Sequence, residues 1–391
     1  MQQKIDLLVV GAGVLGAFHA YHAARQGLRT LLLEKDVAPK GATVRNFGQV
    51  VPSGMAPGRW QRYGIESTRI YKDLQNEIDL SVRQNGSVYL ASDEQECRLL
   101  EELHARNETI GYPCKLLSQE DCLKRYPGLR ASYVRGGLFF PEEVSVEPRL
   151  MISRLIDYLV ERNDLIYRPQ TLVVNCEVDG DACVVTDAQG RRYHAEQVVI
   201  CNGSHFKTLF PELFSSSDIE VTKLQMLETV PLNGFTLPGS VLTGLSIRRY
   251  ESFRACPSFD QLDASHLDPR LKDWGIHLLF KQAVDGSVII GDSHEYRDVR
   301  LADELGFDID HEINRLILQE AQRIFELPTW ELRRTWYGTY AQRKSGDLFQ
   351  HTIDGRIHIV TAIGGKGMTG GPGFAKAHVE RLFGLNVAPV S

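Results

Sequence analysis

Apolar residues are grouped differently in the two halves of this chain. Near its start, Leu7-Leu-Val-Val10 is a short apolar run that ends at a glycine, too short for a helix. Such a run reads as a strand buried on both faces. A helical stretch and a second apolar strand, Thr30-Leu-Leu-Leu33, follow, predicting a βαβ unit over 5–34. Trp60, Tyr63, Ile65, Ile70, Tyr71 and Leu74 sit near helical spacing and predict a helix over 59–76. Residues 82–91 read as a hairpin turning at Asn85-Gly86. A charged amphipathic helix is expected over 93–110, and a helix start at Ser118 with Asp121 in its first turn. Gly136–Phe140 reads as a strand, and 146–162 as a helix opened by Pro148. Residues 171–201 alternate in a β pattern and end in a buried strand, Val198–Cys201. Several strands recur between 219 and 300, helix is expected over 301–327, and strands over 336–340 and 356–362. The chain closes on Gly364–Gly373 and a helix over 374–383.

The first unit carries a glycine fingerprint, Gly11-Ala-Gly13-Val-Leu-Gly16, with its strand before it and its helix after it. Gly11 permits the tight turn, Gly13 lets the backbone approach a pyrophosphate, and Gly16 lets helix and strand pack closely. Unpaired N–H groups and the helix dipole favour phosphate at that helix start. Glu34 stands 18 residues after Gly16, placed to accept hydrogen bonds from a ribose diol. An acid there argues against a 2′-phosphate. The dinucleotide is then NAD or FAD. Gly-rich strand-to-helix junctions at both ends suit a chain that leaves the nucleotide domain and returns, as a flavoprotein does.

At 391 residues the chain has room for two domains, or for one large α/β body with an inserted layer. Its 43% hydrophobic and 24% charged residues are ordinary for a globular protein. A net charge of −6 argues against a nucleic-acid surface. No apolar run reaches the roughly 18–20 residues of a membrane helix, so no integral membrane contact is expected. The fingerprint begins too near Met1 for a signal peptide. Seven cysteines without metal-ligand spacing read as reduced thiols in a cytoplasmic protein, and no metal site is expected.

Taken together, Gly11–Glu34, Thr43–Gln49, Val198–Ser204 and Gly364–Gly373 resemble the FAD-dependent amine oxidases of the D-amino-acid oxidase superfamily, which includes glycine and sarcosine oxidases. The segment Ala42-Thr-Val-Arg-Asn-Phe-Gly-Gln-Val-Val-Pro52, with Ser246-Ile-Arg-Arg-Tyr-Glu-Ser-Phe253, resembles a narrower branch associated with phosphonate catabolism. The resemblance implies an α/β fold (α+β overall): a glutathione-reductase-like FAD-binding Rossmann domain, and a substrate domain built on an antiparallel sheet. The FAD domain is expected over 1–82, 142–217 and 335–391, and the substrate domain over 83–141 and 218–334.

The resemblance also implies residue roles. Gly11, Gly13 and Gly16 hold the pyrophosphate, Glu34 the adenosine ribose, and Lys35 lies on the adenine side. Thr43, Arg45, Asn46, Phe47, Gly48 and Gln49 follow the diphosphate and ribityl part to the flavin edge. Val173 reads the adenine, and Asn202 and Gly203 end the strand that faces the ADP. Gly364, Gly365, Lys366, Gly367, Met368 and Thr369 approach the pyrimidine end of the flavin. Sarcosine-oxidase-type enzymes attach flavin through a cysteine in the segment matching Thr335–Gly338, and this chain has none after Cys256, so noncovalent FAD is expected.

For the substrate face the candidates are His294, Arg249, Tyr250, Lys366 and Tyr337. His294 contacts substrate or flavin, or is a satisfied histidine at a strand end. Arg249 and Tyr250, expected on a strand, offer a forked donor for a phosphonate, or a solvent-facing charge. Lys366 lies at the flavin, or is a turn lysine. Tyr337 and Trp336 wall the pocket, or pack in the core. Arg45 serves the flavin diphosphate or the substrate anion. The reaction expected is oxidation of a small anionic amine, a 2-aminoethylphosphonate-type compound, to an imine that hydrolyses. Oxygen or another electron acceptor then reoxidises the flavin. The rival readings are a D-amino-acid or N-methylamino-acid oxidase, and a noncatalytic FAD-binding partner.

Overall fold

The computed structural model describes residues 5–162 and 164–385. Residues 1–4 and 386–391, expected in the nucleotide domain, lie outside the described residues. Two large sheets organise the chain. In the first, Ile5–Val10 is central and runs parallel to Thr30–Leu33 on one side and Arg192–Ile200 on the other. Leu165–Arg168 extends the sheet beyond Thr30–Leu33, and Ile357–Thr361 beyond Arg192–Ile200, both parallel. Phe349–Ile353 closes that edge antiparallel.

The unbroken apolar run of the first strand has its reason in two cores. Leu7 and Val9 face a layer of helices, Val14–Arg25, Arg59–Glu77, Pro148–Glu161 and Gly367–Leu382. Leu8 faces the opposite layer, with Val198, Ile200, Phe206 and Phe214. A strand buried on both faces cannot alternate with polar residues.

The second sheet runs in the order Glu295–Asp298, Ile219–Thr229, Val288–Gly291, Leu279–Gln282, Ser240–Leu242, Ser87–Ala91, Gly136–Phe140 and Lys115–Ser118. It is antiparallel except where Ser240–Leu242 lies parallel to Ser87–Ala91. Leu332–Arg343 pairs along nearly the whole of Ile219–Thr229. The expected domain boundary at 334/335 therefore falls inside one continuous strand of this sheet. The helix His311–Ile324 covers one face, and the other contributes Tyr89, Met226, Leu242 and Leu279 to the core beside the cavity.

Several expectations are corrected. The hairpin over 82–91 is a single strand: Arg83 bridges to Ser145, while Ser87–Ala91 pairs with Gly136–Phe140. The helix expected over 301–327 is split into a 3-10 stretch, Val299–Leu305, and an α-helix, His311–Ile324. Gly306 breaks the path with a φ of 59°, and Asp310 caps the new start by accepting from Glu312 N. Arg249 and Tyr250 lie between two short helices, Gly244–Ile247 and Glu251–Arg254, rather than on a strand. The last helix begins at Gly367, seven residues earlier than expected, so the glycine run lies within it. Packing is the cause. A Cβ on Gly373 would stand 2.3 Å from Tyr63 O, and one on Gly370 would stand 3.1 Å from the Trp60 ring. Pro372 inside that helix offers no N–H to Met368 O, and the Tyr71 hydroxyl donates there instead, at 3.2 Å.

Candidate active site

A cavity of ≈ 1410 Å³ runs from the start of the helix Val14–Arg25 to the inner face of the second sheet. That exceeds the roughly 300–1,000 Å³ of a drug-sized ligand site and suits a dinucleotide with a small molecule beside it. Every expected site residue lines it except Gly16 and Gly48. Both are packing glycines. A Cβ on Gly16 would stand 1.8 Å from Gly11 O, and one on Gly48 would stand 2.2 Å from Val146 O. Trp336 also stays off the wall, where its Nε1 donates to Arg45 O at 3.1 Å.

At the nucleotide end Gly11 has a φ of 96°, and a Cβ there would meet Cys201 O at 2.3 Å. The helix behind it has no side-chain cap, so its first N–H groups have few internal partners. Thr43 Oγ1 accepts from Val14 N at 2.9 Å. Glu34 is 6% exposed, and its carboxylate accepts from Ala12 N and Asp36 N at 2.9 and 3.0 Å. The acid that follows the second strand is thus locked onto the glycine turn. Lys35 pairs with Asp36 at the surface. Val173, Asn202 and Gly203 close this end, and the buried Asn202 Oδ1 has no hydrogen-bond partner among the described residues.

In the middle, the side chain of Asn46 shapes its own loop, donating to Ala42 O and Thr43 O and accepting from Gly48 N. Arg45 spans to the second sheet, donating to Lys40 O at 2.8 Å and Tyr337 O at 3.3 Å. Phe47 and Gln49 line the wall, with Gln49 Nε2 donating to Phe280 O at 3.3 Å. Gly364–Lys366 forms a short turn into the last helix, so Gly367, Met368 and Thr369 present a helix start to the cavity. Thr369 Oγ1 accepts from Val51 N. The ammonium of Lys366 is held by Glu251 at 2.8 Å and Asp347 at 3.0 Å, over the Trp60 ring.

The inner end is built by the second sheet and the 244–254 segment. Arg249 Nη2 donates to the hydroxyl of Tyr296 at 2.6 Å. Tyr250 meets His277 edge-on at 5.7 Å, and His294 stacks between His277 and Tyr296. Tyr340 closes on His294 at 6.2 Å between ring centres. Burial pushes the phenols of Tyr250 and Tyr340 up, so both stay protonated. Burial pulls the His294 imidazole down to about 3, so it is neutral. Tyr337 lines the wall with Lys223 Nζ 5.3 Å from its ring centre.

Sequence reasoning missed His277, Asp292, Tyr296 and Tyr340 in this chamber. Asp292 and Tyr296 are each two residues from His294, a signal that was available. His277 is 15 residues before Asp292 and reaches it only through the backbone pairing described below.

The arrangement defines a class: an α/β protein with room for a dinucleotide beside a glycine turn and a buried, tyrosine-lined chamber at the far end of the same cavity. The donor set fits FAD. The backbone cradle at Gly11 admits no side chain, Asn202 Oδ1 awaits a donor, and a second helix start lies farther along the cavity.

The chain belongs to the DAO family, FAD dependent oxidoreductase, whose model matches residues 6–381. Glycine oxidase of Bacillus licheniformis is 26% identical over 54% of this chain and 58% of its own length. The chain thus spans little more than half of that relative. Human peroxisomal sarcosine oxidase is 24% identical over 51% of this chain and 50% of its own length. Among solved structures, glycine oxidase from Geobacillus kaustophilus superposes with a TM-score of 0.79 at 17% identity, covering 99% of this chain and 96% of that one. Among the described residues, no helix is long and apolar enough to cross a membrane.

Proposed function

We propose that the protein oxidises the C–N bond of a small amine carrying an anionic group, and that this amine is of the 2-aminoethylphosphonate type, N-methylated forms included. The imine formed would then be hydrolysed by water. The observation behind this reading is Arg249, which reaches the chamber with its guanidinium braced on Tyr296. A guanidinium held in place offers a planar fork to a phosphonate or carboxylate. Leu224, Met226 and Leu279 add apolar wall to the same cavity, which favours an ionic contact shielded from bulk water. Bound FAD would supply the hydride acceptor. The chain's own groups bind the anion and aim the carbon next to nitrogen along the cavity. The flavin is held without a covalent bond, so acid precipitation should leave the yellow colour in the supernatant.

A second reading takes an amino acid or N-methylamino acid as substrate. The names of relatives, glycine oxidase and human peroxisomal sarcosine oxidase, favour it. One experiment separates the two. The yellow protein is mixed anaerobically with 2-aminoethylphosphonate, its N-methyl derivative, glycine, sarcosine and D-alanine. Loss of the oxidised-flavin band near about 450 nm is followed for each. Bleaching by the phosphonates supports the first reading. Bleaching by amino acids alone refutes it in favour of the second.

A further inference from the structure

The chamber that holds Arg249 also holds a buried carboxylate, Asp292, whose near side-chain partner is one imidazole, that of His277. Asp292 is 8% exposed and lines the cavity, and apart from the His277 contact its Oδ1 has no hydrogen-bond partner among the described residues. An acceptor buried in that state is costly, and a folded protein keeps one where a ligand brings the donor. His277 Nε2 lies 2.9 Å from the same oxygen, close enough for one proton to be shared between them. The two residues are locked together by their backbones. Asp292 N donates to His277 O at 2.8 Å, and His277 N donates to Asp292 O at 3.1 Å.

Arg249, His277, His294, Tyr250 and Tyr340 are the charged and titratable groups that face Asp292. Burial pushes its carboxyl up, but contact with His277 and His294 and the charge of Arg249 outweigh burial and hold it below the usual carboxylate range. Burial pulls the His277 imidazole down, against the Asp292 carboxylate that pushes it up. Ligand-type atoms of His277, Asp292 and His294 lie within 4.8 Å of one another. A metal ion is a poor occupant all the same. His294 Nδ1 is turned to Gly275 O at 3.0 Å and must carry its proton there, and Arg249 adds positive charge.

We infer that Asp292 and His277 form an ammonium subsite that takes the proton of the substrate amine. The inference rests on the amine-oxidation reading above. A small aminophosphonate or amino acid enters as an ammonium with an anion. One N–H bond breaks, its electron pair stays on nitrogen, and the proton bonds to His277 Nε2 beside Asp292 Oδ1; the ring's own hydrogen sits on Nδ1, 3.4 Å from Ser246 Oγ, so the Nε2 lone pair is free to take it. Charge then balances throughout the chamber. Arg249 faces the substrate anion, the new imidazolium faces the Asp292 carboxylate, and the amine left behind is neutral. That neutral amine is the form from which hydride can leave. A carboxylate that kept the ammonium charged would oppose the reaction, so the neighbouring imidazole is needed as the proton's destination.

The test uses the flavin-loaded protein and its Asp292→Asn and His277→Asn variants. Each is mixed anaerobically with 2-aminoethylphosphonate or sarcosine, whichever reduces the wild-type flavin. At a pH of about 7 the limiting rate of flavin reduction in Asp292→Asn is expected to fall about a hundredfold. Most of that rate should return near a pH of about 10, where far more of the amine is already neutral in solution. Ethylphosphonate or acetate, which lack the amine, should bind this variant as tightly as wild type, read from the shift in flavin absorbance. His277→Asn keeps the carboxylate, so it should hold the amine but reduce slowly; it carries the test if Asp292→Asn purifies colourless. Rates and pH profiles that match wild type in both variants overturn the assignment and leave amine oxidation standing. If neither amine reduces the wild-type flavin, the amine-oxidation reading fails and the assignment falls with it.

Discussion

Arg248 and Arg249 are neighbours in sequence with opposite surroundings, and exchanging each for methionine separates binding from stability. Arg249 faces the cavity and donates to a tyrosine hydroxyl, with no carboxylate bonded to it among the described residues. Arg248 is 9% exposed and turned away. Its guanidinium pairs with Glu96 at 2.6 Å and Asp93 at 2.6 Å and donates to Asp263 O at 2.9 Å. Arg249→Met removes a charge-assisted contact to the substrate anion, about 1.5–3 kcal/mol, so the apparent KM should rise about 10- to 150-fold. Its unfolding midpoint in urea should move little. Arg248→Met strands the carboxylate of Glu96, which is 1% exposed, and should cost about 3–5 kcal/mol of folding stability. Steady-state kinetics with the best amine, alongside urea unfolding of both variants, measures the two effects. A KM for Arg249→Met within about twofold of wild type would refute Arg249 as the anion clamp, since twofold is only about 0.4 kcal/mol. A stability loss as large as that of Arg248→Met would instead make it a structural arginine.

Gly11→Ala would place a methyl group 2.3 Å from Cys201 O at a φ of 96°, so the variant should purify with little flavin; a fully yellow, equally stable protein contradicts the cradle. Glu143 is fully buried, and burial raises its carboxyl to about 7 against hydrogen bonds from Ser87, Ser53 and Tyr112. The folded state then holds its proton more tightly than the unfolded state. Its contribution to stability should therefore fall by about 3 kcal/mol as pH rises from the ordinary 4.5 to about 7, and level off above. Urea midpoints of wild type and Glu143→Gln at a pH of about 5 and about 8 test this, and a difference between the two proteins that does not vary with pH contradicts it.

The glycine-turn end of the cavity was legible because its information is local. Gly11, Gly13 and Glu34 fall within one βαβ unit, where turn, helix start and acid are fixed by a few consecutive residues. The apolar runs Leu7–Val10 and Thr30–Leu33 announced strands covered on both sides, and both faces are buried. Sequence alone thus determined an α/β fold and the position of its glycine turn. It could not show which member of the Arg248–Arg249 pair faces inward. That depends on Glu96, about 150 residues away, which captures the first and leaves the second to the cavity. Nor could it join His277 to Asp292, whose contact exists only because their backbones pair. The glycines at 367–373 looked like a loop, since glycine disfavours helix in isolation. Close approach of the Arg59–Glu77 helix reversed that preference, because the space there admits no side chain. Tertiary structure decided the chemistry-bearing end of the cavity: its residues come from strands and loops far apart in the chain, and their proximity is set by packing that no local pattern records.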